Sequence, residues 1–171
     1  MINLQRNLWR KKLGNVGEAL VLRYLTQLGW QVVRQKYHVG RSSEVDLIAL
    51  APDGTTVFIE VKTRTIAGNP NQDDWYESVS QTINARKQKK IISAARRFKI
   101  ETQCHGSACR FDVIMLGLSS NLASNLVREF THGSTENILP SFDRKVTEYV
   151  AGGAREHMSV IHCEGVFVTN F

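Results

Sequence analysis

Apolar residues along the chain follow two spacings, and the change from one to the other predicts its elements. From Gly14 to Leu28 the residues Val21, Leu22, Leu25 and Leu28 recur at helical spacing, and Gly29 follows where a C-terminal cap is expected. This predicts a first helix. "WQVVRQKYHV" (30–39), "EVDLIAL" (44–50) and "TTVFIEVKT" (55–63) are rich in β-branched and aromatic residues and predict three strands, the last two joined by "APDG" as a hairpin. The polar run "TIAGNPNQDDWYES" (65–78) predicts an exposed loop. After it, "SVSQTINARKQKKIISAARRFKI" (78–100) carries Ile83, Ile91, Ala94, Ala95 and Phe98 on one stripe, which predicts a long helix. "RFDVIML" (110–116) predicts a further strand.

The pattern weakens beyond Leu118. "ASNLVREF" fits strand or helix, "VTEYVAGGA" is a short element ended by glycines, and "HCEGVFVTNF" ends in strand-like sequence. The order helix, three strands, helix, strand implies an α/β fold with a mixed sheet flanked by helices. Residues 1–142 are expected to form this domain, with 143–171 as a C-terminal extension.

Strand periodicity gives the hairpin its chemistry. Glu44, Asp46 and Ile48 share one face of their strand, and Phe58, Glu60 and Lys62 share one face of the next. Pro52-Asp53-Gly54 suits a three-residue loop, with Pro in a type I turn and Gly at the left-handed bulge position. In that register Ala51 lies opposite Thr55, and counting back sets Asp46 opposite Glu60. A two-residue turn would send Glu60 to the other face. Facing carboxylates cost a few tenths to about 1 kcal/mol. A divalent cation offsets that cost directly, since Mg²⁺ takes carboxylate and carbonyl oxygens and keeps water at its other positions. Lys62, one pleat on, either neutralises the pair or orients a water held by such a cation. The competing reading is a salt-bridge cluster on a wet sheet face.

Two helical residues strengthen the metal reading. Glu18 falls on the stripe of Leu22 and Leu25, where an isolated carboxylate is costly to bury. Lys87 falls on the stripe of Ile83 and Ile91, while Arg86, Lys89, Lys90, Arg96 and Arg97 gather on an adjoining side. An inward lysine beside a basic flank suits contact with a phosphate backbone.

Composition agrees. Twenty-two Lys and Arg against sixteen Asp and Glu give a net charge of +6 over 171 residues, which favours a polyanionic partner. The start "MINLQRNLWRKKLG" matches neither a signal peptide nor a membrane span, so a cytoplasmic protein without membrane association is expected. Three cysteines fit a reducing compartment. Cys104, His105, Cys109, His162 and Cys163 lack zinc-site spacing, and no phosphate-binding "GxxxxGK" loop occurs.

Glu18 on a helix, Asp46 on a strand and "EVK" at 60–62 on the next strand resemble the PD-(D/E)XK nuclease superfamily. Within it, "GNVGEALVLRYLTQLGW", "SEVDLIAL", "VFIEVKTR", "ARKQKKIISAARRF" and "RFDVIML" are most similar to the YraN-like family of predicted endonucleases. Ser43 stands where that family has Gly, and the loop at 67–78 is longer. The resemblance implies a restriction-endonuclease-like fold and metal-dependent phosphodiester cleavage. It implies that Asp46, Glu60 and the Val61 carbonyl bind Mg²⁺ or Mn²⁺, that Lys62 activates or orients the attacking water, and that Glu18 completes the site. Arg64, Arg86, Lys87, Lys90 and Arg97 would then contact nucleic acid, DNA rather than RNA, in branched, flapped or single-stranded form. The alternatives are a noncatalytic nucleic-acid-binding module on the same fold and an interaction protein acting through its extension.

Overall fold

In the computed structural model, residues 2–40, 43–66, 84–103, 108–131, 148–150 and 157–167 are described. Their elements in chain order are α1 (Ile2–Gln27), β1 (Gln31–Val39), β2 (Ser43–Leu50), β3 (Thr56–Ile66), α2 (Ala85–Thr102), β4 (Cys109–Ser119), α3 (Ser120–Thr131), β5 (Glu148–Val150) and β6 (His157–Phe167). The six strands form one sheet in the order β1-β2-β3-β4-β6-β5. This is the expected mixed α/β architecture, consistent with a restriction-endonuclease-like fold.

The chain divides into two compact units. The first holds Met1–Leu28, Val61–Pro70 and Ile114–Ile161, and the second Gly29–Glu60, Asn71–Val113 and His162–Phe171. In the first unit α1 packs against α3. Val16, Leu20, Val21 and Leu25 of α1 are fully buried, and Leu122, Ala123, Leu126 and Val127 give α3 one apolar stripe. In the second unit α2 covers the β1–β2–β3 meander. Its Ile91, Ala94, Ala95 and Phe98 meet Ile48, Phe58 and Phe111 in one cluster, with the Phe58 ring 5.8 Å from Phe98 and 5.4 Å from Phe111.

Several expectations are corrected. The first helix begins at Ile2, not near Gly14, because the turns before Gly14 remain helical although Leu4 and Leu8 are exposed. The ambiguous "ASNLVREF" lies in helix α3, which opens as the Ser119 hydroxyl accepts the Leu122 N–H. Strand β3 runs to Ile66, so Thr65 and Ile66 are strand, while 67–83, with the rest of the expected loop and the start of the expected long helix, lies outside the described residues. Within 143–171, β5 and β6 are strands of the sheet. Among the described residues no helix is long and apolar enough to cross a membrane.

Candidate active site

The hairpin turn sets the geometry. The Ala51 N–H donates to the Thr55 carbonyl at 2.9 Å, and the Gly54 N–H returns to the Ala51 carbonyl at 2.9 Å. Gly54 takes φ +85°, and the Asp53 carboxylate accepts the Thr55 N–H at 2.9 Å. This is the three-residue loop read from "PDG". The ladder then pairs Leu50 with Thr56, Ala49 with Val57, Ile48 with Phe58 and Leu47 with Ile59. The next positions on the two strands are Asp46 and Glu60.

Ile48 and Phe58 lie in the cluster beneath α2, and alternation from Phe58 turns Glu60 toward that helix as well. Lys87 of α2 meets Glu60 there, with its Nζ 2.7 Å from Oε2. Glu60 is 5% exposed, and β3 is buried without a break from Val57 to Val61. The strand therefore has no wet face at Glu60, which excludes the exposed salt-bridge cluster there. Asp46 is half-buried.

Lys87 occupies the first turn of α2. Its backbone N–H is capped by the Asn84 side chain at 2.9 Å, and four residues later Ile91 enters the core. The inward lysine foreseen from the stripe is present, and in this structure its ammonium contacts a carboxylate. Arg86 is exposed and Lys90 half-buried on the same end of the helix. Arg97 lies ten residues beyond Lys87, about 15 Å along the axis at the usual helical rise. Its Nε pairs with Glu101 at 2.6 Å, and the other Glu101 oxygen accepts the Tyr37 hydroxyl at 2.7 Å. Burial, then the Glu101 hydrogen bond, push the Tyr37 phenol up to about 12. The bonds from Arg97 and Tyr37 hold the Glu101 carboxyl below its ordinary value.

Glu18, Val61, Lys62 and Arg64 belong to the first unit. There α1 meets β3 so closely that a Cβ on Gly17 would sit 1.7 Å from the Thr63 Oγ1. That approach puts Glu18, half-buried, on the turn of α1 that passes β3. Lys62 is half-buried and Arg64 exposed, and both border a cleft of about 720 Å³. Its other wall is α1, which contributes Arg6, Trp9 and Arg10. These three were missed by the sequence reading. Their signal was the spacing of Arg6 with Arg10 and of Trp9 with Leu13, four residues apart in each case, with Trp9 and Leu13 in phase with Val16 and Leu20 and the two arginines beside them.

Hard oxygen donors are the right chemistry for Mg²⁺ or Mn²⁺, and Mg²⁺ needs only one or two carboxylates besides water. Asp46, Glu60 and the Val61 carbonyl fit that requirement by donor type. Among the described residues no group of three His, Cys, Asp or Glu is gathered for a metal. Cys104 and His105 lie outside the described residues. His162 is engaged elsewhere, with its Nε2 2.8 Å from the buried Asp112 carboxylate.

The profile of uncharacterised protein family UPF0102 matches residues 17–116, a span that includes Glu18, Asp46, Glu60 and Lys62. The chain is 38% identical over 108 residues to a UPF0102 protein of Albidiferax ferrireducens, covering 62% of this chain and 78% of the relative. It is 36% identical over 118 residues to one of Chlorobaculum parvum, covering 69% and 84%. A third, from Chlorobium limicola, is 38% identical over 120 residues, covering 70% and 84%.

Proposed function

Because the chain belongs to uncharacterised protein family UPF0102, the YraN-like family of the PD-(D/E)XK-like nuclease superfamily, we propose that it is a metal-dependent nuclease hydrolysing phosphodiester bonds. The observation that carries this reading is the β2–β3 register, in which Asp46 and Glu60 follow the Leu47–Ile59 pair. Asp46, Glu60 and the Val61 carbonyl would hold Mg²⁺ or Mn²⁺. Such an ion polarises a phosphoryl oxygen and makes a neighbouring water more acidic. Lys62 orients the attacking water and offsets charge that develops on the phosphorane oxygens. Glu18 supplies a further carboxylate from α1. Arg64, Arg86 and Lys90 would contact the nucleic-acid backbone, with DNA preferred to RNA, whereas Lys87 is held by Glu60 and Arg97 by Glu101.

Incubation of the protein with Mg²⁺ or Mn²⁺ and a panel of single-stranded, flapped, branched and duplex substrates tests this reading. Cleavage is expected in wild type and should disappear in Asp46→Ala, Glu60→Ala and Lys62→Ala. Equal behaviour of wild type and all three variants on every substrate would remove the catalytic reading. The Lys87 contact favours a second one, a noncatalytic nucleic-acid-binding module, because it supplies Glu60 with a cation already. Metal-independent binding without cleavage would select that module.

A further inference from the structure

We propose that the cleft between the N-terminal turns of α1 and the end of β3 binds a single strand of nucleic acid, with Arg6, Arg10 and Arg64 on phosphates and Trp9 stacked on a base. The inference deepens the nuclease reading, on which it rests for the choice of nucleic acid over other polyanions. It adds the form of the substrate and residues that precede the matched family span, which begins at residue 17.

Charge is the first support. Arg6, Arg10, Lys62 and Arg64 line the cleft, and among the described residues its lining includes no Asp or Glu. Helix α1 has no acidic residue in its first turn, and from Ile2 to Gly17 its charged residues are Arg6, Arg10, Lys11 and Lys12. Arg6 and Arg10 stand four residues apart on the helix, and like charges at that spacing repel. The helix therefore carries a local cost that an anionic ligand relieves.

Shape and an aromatic side chain select the class of anion. A cleft of about 720 Å³ holds a few nucleotide units and is too small to enclose a duplex, so it suits one strand. Trp9 is half-buried and lines the same cleft, while Arg6, Arg10 and Arg64 are exposed. Cations that follow a backbone beside an aromatic platform are the usual means of holding unpaired nucleotides. A lipid headgroup would need the cations but not the platform.

Binding of a fluorescent single-stranded oligonucleotide, followed by anisotropy with divalent cations chelated, tests the inference apart from cleavage. Arg6→Gln/Arg10→Gln should weaken binding on the order of tenfold and lower the slope of log affinity against log salt by about 1.4, two contacts at about 0.7 each. Trp9→Leu should weaken binding on the order of tenfold, and Trp9→Phe should retain most of it. Lys11→Gln, on the same helix but outside the cleft lining, should weaken binding less than Arg10→Gln. The inference is overturned if the Arg6/Arg10 variant binds like wild type. It is equally overturned if duplex suffers as much as single strand, or if only binding to phosphatidylserine vesicles falls. Loss of cleavage in Asp46→Ala with its binding intact leaves the cleft standing. Wild-type cleavage with an unaffected Arg6/Arg10 variant removes the cleft alone.

Discussion

Lys87 reaches Glu60 from the first turn of α2, with 2.7 Å between Nζ and Oε2. A lysine there opposes the helix dipole, so its position reflects the carboxylate beneath it. Lys87→Met should destabilise the protein by about 1–2 kcal/mol in urea unfolding, less than the loss of a fully buried pair, because the lysine is 27% exposed. Combined with Glu60→Gln, the second substitution should cost less than it does alone. Additive costs would mean that the two groups do not interact energetically.

The same contact bears on metal binding under the nuclease reading. A divalent cation and Lys87 would neutralise the same carboxylate. Mg²⁺ should therefore raise the thermal midpoint of Lys87→Met more than that of wild type, and should leave Glu60→Gln unmoved. Identical shifts in all three proteins would separate Glu60 from the metal.

Gly17 permits the close passage of α1 over β3. A Cβ there would lie 1.7 Å from Thr63 Oγ1 and 2.9 Å from its Cβ, and the short branched side chain has little room to withdraw. Gly17→Ala should cost about 1–3 kcal/mol, in the usual range for overpacking. Thr63→Ala should recover part of that loss, since it removes the nearest atom but retains the Cβ. A Gly17→Ala protein with wild-type stability would show that the helix can move away freely.

The hairpin was legible in the sequence because its register follows from local turn chemistry: Pro52, Asp53 and Gly54 admit few loops, and one loop fixes every pair behind it. The stripe of α2 was legible because Ile91, Ala94 and Phe98 are buried together. The first turns of α1 were not, since Leu4 is 76% and Leu8 54% exposed and no apolar stripe marks them. With that helical stretch unread, the basic cleft had no second wall. The inward lysine was read toward a phosphate. Its contact with Glu60 depends on how α2 sits over β3, and periodicity carries no such information.

Alkaline titration should single out Tyr37. Its folded value is raised to about 12 from the ordinary 10, by burial first and then by the bond to Glu101. The native state therefore favours the neutral phenol. This contribution to stability is fully present below about pH 10 and is lost as pH rises through about 12. Ultraviolet absorbance of tyrosinate should show a late step that is absent in Tyr37→Phe. Glu101→Gln should move that step down. A Tyr37→Phe protein that keeps the late step would assign it to another residue.

Asp112 ties β6 to the interior of the second unit. Its side chain is 0% exposed, and three donors converge on it: Arg110 Nε at 3.1 Å, the Gly165 backbone N–H at 3.0 Å and His162 Nε2 at 2.8 Å. Trp30 covers two of them, its ring 5.5 Å from that of His162 and 5.4 Å from the Arg110 guanidinium. Two of the donors come from β6, about fifty residues along the chain, so the carboxylate is satisfied only when that strand is in place. Asp112→Ala should cost about 1–3 kcal/mol, because it removes the acceptor shared by His162 and the Gly165 N–H, while Arg110 keeps Glu164 at 3.3 Å. His162→Ala should cost less, about 1–2 kcal/mol, because Arg110 and Gly165 still hold the carboxylate. A chain cut before His157 should lose cooperative unfolding, since Asp112 would keep Arg110 alone. Amide hydrogen exchange gives the direct measurement: the amides of His157–Phe167 should exchange with the global unfolding reaction in wild type and faster in Asp112→Ala. Rapid exchange along β6 in the wild-type protein would mean that the strand contributes nothing to holding the fold together.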